Sequence, residues 1–114
     1  MIMNGKPFNP GDLRIPITLE SRASIAVAGG FLKPGWTEFK QVKAKWVNAH
    51  GSEAWTAALA QAEEPATVTI RFVSGLDETF SVVKGSKRFE IVSIDDIQER
   101  HELLELKVKR MGAG

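Results

Sequence analysis

The chain has 114 residues, 43% of them apolar and 25% charged, which is the size of a single domain built on one core. Fifteen Lys plus Arg against 14 Asp plus Glu leave a formal charge of +1, so no global field drives the chain onto phosphate or lipid, and non-specific nucleic-acid binding is disfavoured. Cysteine is absent, which excludes disulfides, thiolate catalysis and cysteine-ligated zinc together.

The opening stretch MIMNGKPFNPGDLR lacks the basic start and apolar run of a signal peptide, and no apolar run is long enough to cross a bilayer, so no membrane partner is expected. Asn4, Gly5, Pro7, Pro10 and Gly11 interrupt regular structure, and residues 1–12 are expected to form a flexible arm ahead of one domain at residues 13–114. Ile15, Ile17 and Leu19 alternate with Pro16, Thr18 and Glu20, the period of two of a strand with one wet face. Pro16 cannot donate to a ladder, so this strand is expected at an edge or with that amide position unpaired. Arg22 to Gly35 carries Gly29, Gly30 and a Pro-Gly pair and reads as a long loop. Its Ile25, Val27, Phe31 and Leu32 are apolar for a solvated loop, and either fold back on the core or meet a neighbouring subunit.

Trp36 to Val47 reads as the second strand. Thr37 and Phe39 share one face, whereas Val42, Ala44 and Trp46 share the other, which places a bulge near Lys40 and Gln41. Next, Ser52 is a credible N-cap and Glu53 suits the positive end of a helix running to Gln61 or Ala62, stopped before Pro65. Trp55 and Leu59, four apart, give that short helix a narrow apolar stripe. Three more strands follow: one on Val68, Ile70 and Phe72, and two on Phe80 and Val82 and on Phe89 and Ile91, joined by a hairpin at Gly85 and Ser86. Val92 and Ile94 make the latter strand apolar on both faces, as expected of one covered on both sides. Leu104, Leu106 and Val108 form the last. About six strands and one short helix between the second and third predict a mainly β fold: a small six-stranded β-barrel or barrel-like sandwich.

His50, Ser52 and Glu53 are the residue types of nucleophilic hydrolysis, but two-residue spacing at a strand-to-helix junction rarely orients a triad, and capping explains Ser52 more simply. His50 and His101 with scattered carboxylates do not make a metal site, and no phosphate-binding loop is present, so neither enzyme activity nor a cofactor is expected. Lys40, Lys43 and Lys45, then Lys84, Lys87 and Arg88, then Lys107, Lys109 and Arg110 form basic clusters that, with Phe80 or Phe89, would suit an oligonucleotide-binding barrel, the alternative reading.

Trp36, the run Ala44-Lys45-Trp46-Val47, Gly51 before Glu53, Thr69-Ile70-Arg71-Phe72, Gly85 before Arg88-Phe89-Glu90-Ile91, and Arg100 occur in an order that resembles the head-tail joining proteins of tailed bacteriophages, also called head-closure or stopper proteins. The resemblance covers Leu13 to Arg110 and departs at Arg22 to Gly35, where many relatives carry a polar turn with aspartate. It implies a β-barrel that assembles as a homo-oligomeric ring under the portal and its adaptor, holds transient double-stranded DNA in the axial channel and receives the tail proteins. It also implies synthesis in the bacterial cytoplasm and residence in the virion. The family's channel segment corresponds to Asn48 to Glu64, with His50, Ser52, Glu53, Gln61 and Glu63 expected toward the axis, Gly51 as pivot and Trp55 and Leu59 as anchors. Ile25, Val27, Phe31 and Leu32 are the expected inter-subunit loop.

Overall fold

A computed structural model describes residues 2–3, 6–7, 9–48 and 64–111. Strands β1 (Ile2–Met3) and β2 (Lys6–Pro7) pair as a two-residue ribbon. A 3-10 turn at Pro10–Asp12 follows, capped by Asn9, whose side chain accepts from the Gly11 amide at 2.9 Å. Six antiparallel strands then close a barrel: β3 (Ile15–Ala26), β4 (Leu32–Asn48), β5 (Ala66–Arg71), β6 (Ser81–Lys84), β7 (Lys87–Asp96) and β8 (Leu103–Arg110), in the order β3-β4-β5-β8-β7-β6. The predicted helix between the second and third strands lies outside the described residues, and so do all of its site residues from His50 to Glu63.

Alternation dictates the core. Ile17 and Leu19 on β3, Ala44 on β4, Val68 and Ile70 on β5, Val82 on β6, Phe89 and Ile91 on β7, and Leu104, Leu106 and Val108 on β8 are buried together. A fully buried aliphatic side chain contributes about 1.5–3 kcal/mol, so these positions carry the stability of the barrel. At one end Leu13 packs on Ile97 and Leu103, tying the entry of the chain to the β7–β8 connection. That connection is held by Asp96, which accepts from the His101 amide at 3.0 Å and contacts its ring.

Two bulges explain the changes of parity. In β4 the register steps from Leu19↔Lys40 to Glu20↔Glu38, so Phe39 is the extra residue, immediately beside the predicted position. In β7 the step falls between Ile91 and Ser93, leaving Val92 as the extra residue and returning Ile94 to the core. The two apolar faces of β7 therefore reflect a bulge, not a strand covered on both sides. Phe72, expected inward with Val68 and Ile70, lies past the end of β5, where it is exposed and stacks at 4.7 Å on His101.

The larger correction concerns Arg22 to Gly35. These residues continue β3 and open β4, pairing from Arg22↔Trp36 to Ala26↔Leu32, so the loop shrinks to residues 27–31. Glycine placement is the reason: Gly29 and Gly30 stand together at φ 88° and 80°, the left-handed geometry that turns a hairpin, while Pro34 and Gly35 lie within the extended chain. β6 pairs with β3 only at Thr18, Leu19 and Glu20, so beyond Glu20 the two long strands leave the barrel as a two-stranded ribbon. Pro16 also falls outside those three residues, and no ladder bond to β6 is lost there.

Candidate functional site

The ribbon ends in a tight turn in which the Val27 amide donates to the Phe31 carbonyl at 2.9 Å and the Gly30 amide donates to the Val27 carbonyl at 3.2 Å. Phe31 and Leu32 stand 72% and 69% exposed at the tip, and Val27 is half-buried. A Cβ on Gly29 would lie 3.2 Å from the Phe31 ring, so the missing side chain lets that ring rest against the turn. Of the four apolar residues singled out in the sequence, Phe31 and Leu32 thus share the tip, and Ile25 pairs with Lys33 along the ribbon.

Aromatic contacts hold the root of the ribbon. Trp36 of β4 lies under the guanidinium of Arg22 at 4.9 Å and that of Arg88 at 5.3 Å, and Arg88 is ion-paired with Glu20. Arg88 sits on β7, so this clasp ties the ribbon to the far side of β6. The bulge residue Phe39 meets Phe80 edge-to-face at 4.9 Å. Sequence reading missed this clasp because its members are distant along the chain; the only signal was an aromatic residue at Trp36 facing a region misread as loop.

The second feature is the pair of strand ends between which residues 49–63 run. Asn48 and Ala66 are register partners on β4 and β5, so the segment leaves and returns on adjacent strands. On the outgoing side, Trp46 Nε1 donates to Asn48 Oδ1 at 3.1 Å, Trp46 packs on Phe89 at 4.8 Å, and Lys84 covers the indole at 4.4 Å. On the returning side, Glu64 accepts from Lys87 Nζ at 2.7 Å and from Arg110 Nη1 at 2.6 Å. These two bonds, Lys87 first, hold the Glu64 carboxyl below the usual glutamate range. Because β4 runs from Leu32 to Asn48, the exposed tip and Asn48 lie at opposite ends of one strand.

Five residues of the second and third basic clusters are ion-paired to carboxylates. Lys87 and Arg110 meet Glu64, Arg88 meets Glu20, Lys107 meets Glu105 at 3.0 Å and Lys109 meets Glu90 at 3.7 Å. Phe89 is buried and Phe80 half-buried, so neither offers an open face to a base. A cleft of about 400 Å³ has an apolar lining of Pro10, Leu13, Val42, Phe72 and Val73, with Lys40, Lys43 and Arg71 beside them. Among the described residues no group of three or more His, Asp or Glu is placed to hold a metal ion.

A family model described as phage head completion protein matches residues 8–111. The solution structure of protein SF1141 from Shigella flexneri 2a has a similar fold, with a TM-score of 0.69 at 16% identity, covering 94% of this chain and 100% of that one. A chain from the virion of a native gene transfer agent particle is similar at a TM-score of 0.59 and 18% identity, covering 86% of this chain and 94% of that one. No curated protein matches the sequence.

Proposed function

Because the chain belongs to the phage head completion protein family, a family of virion structural proteins, we propose that it is a head-tail connector: a barrel that assembles as a ring under the portal or its adaptor, closes the DNA channel and presents the surface to which the tail attaches. The observation that carries this reading is the exposed Phe31–Leu32 tip at the end of a ribbon clear of the barrel. Two large apolar side chains held away from the core gain nothing from the monomer's own packing, and they gain when a neighbouring virion chain covers them. A near-neutral charge fits a channel through which DNA must slide, since 6–10 cation–phosphate contacts would make binding strongly salt-dependent and adhesive.

The segment Asn48 to Glu64 takes the channel role, and its two described ends support this by being anchored on the barrel, Asn48 opposite Ala66 of β5 and Glu64 on Lys87 and Arg110. The double change Phe31→Ser with Leu32→Ser tests the attachment surface. The purified chain is expected to keep its melting temperature, while heads produced with it accumulate without tails; normal joining by that variant would refute the reading. Replacing residues 49–63 by a short Gly-Ser turn is expected to give heads that package DNA and then lose it. Heads that retain their DNA would remove the channel role.

A further inference from the structure

The ribbon has two outer edges, and the sequence blocks only one of them. The Val27–Phe31 bond sets the phase of the ladder. In an antiparallel pair the bonded and non-bonded positions alternate, so Ile25↔Lys33 and Ala23↔Gly35 face inward, whereas Ala26↔Leu32, Ser24↔Pro34 and Arg22↔Trp36 turn their backbone groups outward. On the β4 edge the outward position holds Pro34, which has no N–H and prevents strand addition there. On the β3 edge the outward N–H and C=O groups belong to Arg22, Ser24 and Ala26, all three exposed. This is the edge that β6 covers nearer the barrel, and its pairing stops at Glu20. Among the described residues no strand pairs with this edge beyond Glu20, and a cleft of about 330 Å³ beside it is lined by Arg22, Trp36, Phe80 and Ile91 together with Glu78 and Glu90, the latter paired with Lys109 at 3.7 Å.

We propose that the open β3 edge at Arg22, Ser24 and Ala26 receives an extended, carboxylate-bearing segment of a different virion chain, which adds a third strand to the ribbon. The charge of the ribbon selects that partner. Between Ser21 and Thr37 the charged residues are Arg22 and Lys33, with no carboxylate. A second copy's ribbon would oppose the same cations, whereas an acidic strand complements them. Main-chain bonds to the three outward positions then supply affinity, and Arg22 supplies selectivity. The inference rests on the connector reading and adds to it the edge that is used and the chemistry of the occupant.

Two measurements on assembled particles test it. A benzophenone side chain placed at Ala26 is expected, on irradiation, to join to an acidic stretch of another virion chain identified by mass spectrometry. Ser24→Pro, which copies onto β3 the block already present at Pro34 and removes no bond within the ribbon, is expected to lower the yield of tailed particles about tenfold or more, while Ser24→Ala leaves it unchanged. An adduct with this chain's own peptides, an adduct with DNA, no adduct, or normal joining by a Ser24→Pro chain that melts like the parent would each overturn the proposal. In those cases the chain is still present on the particles and the connector reading stands. Absence of the unsubstituted chain from tailed particles would overturn both.

Discussion

At Glu64 one carboxylate receives two cations at the point where the chain re-enters the barrel, and the residue adopts φ 42°, a left-handed geometry that is uncommon outside glycine. The bonds from Lys87 and Arg110 hold its carboxyl below the usual glutamate range, so the stabilisation is present above that range and is lost as the pH falls through the lower folded value. Glu64→Gln is therefore expected to lower the melting temperature at pH 7, and the difference from the parent is expected to shrink as the pH falls below the usual glutamate range; an unchanged difference on acidification would show that the two bonds do not matter. Ser81 makes the opposite case. It is fully buried in β6, and among the described residues its hydroxyl has no partner. A buried hydroxyl left unpaired costs about 1–3 kcal/mol, so Ser81→Ala is expected to raise stability by about 1 kcal/mol in urea unfolding. At the ribbon tip, Gly30→Val puts a branched side chain at φ 80°, where an L-residue costs about 1–2 kcal/mol. Backbone NMR is expected to show disorder confined to residues 26–32.

Among the elements, the ribbon has side-chain contacts at its root that reach beyond its own ladder. Trp36 meets Arg22 and Arg88 there, and Phe39 packs on Phe80. Each cation–π contact at such a site contributes about 0.5–1 kcal/mol. Trp36→Ala is thus expected to speed amide hydrogen exchange across residues 21–37 while β5 and β8 stay protected, and equal exchange in the ribbon would count against the clasp. The barrel strands were legible in the sequence because each obeys a period of two, and the Phe39 bulge was legible because the apolar parity of β4 changes there. The ribbon was not, because glycine and proline dominate a local reading. Gly29 and Gly30 do mark a turn, but Pro34 marks a blocked edge within a strand, a distinction that requires knowing which way its nitrogen points. The bulge at Val92 was hidden for a similar reason, since an apolar residue on each face reads equally well as a doubly covered strand. Phe31 and Leu32 were legible as surplus apolar residues, whereas the Trp36 clasp depends on Glu20 and Arg88 meeting across 68 residues of chain.

For the whole molecule, the division of labour follows β4, whose 17 residues link the ribbon tip to the root of residues 49–63. At about 3.3 Å per residue such a strand reaches roughly 55 Å, comparable to the 54 Å long axis of the molecule. The closed barrel lies between these two ends, and Leu106, fully buried on β8, is part of its core. Leu106→Ala is expected to cost about 2–5 kcal/mol and to abolish assembly through loss of the fold, whereas the tip variants abolish joining with the fold intact. The absence of native cysteine makes the most direct test a simple one: Phe31→Cys supplies the chain's only thiol, and its reaction with a maleimide is followed in the free chain and in purified tailed particles. The account predicts rapid labelling of the free chain and a thiol shielded in the particles. Equal labelling in both would contradict it.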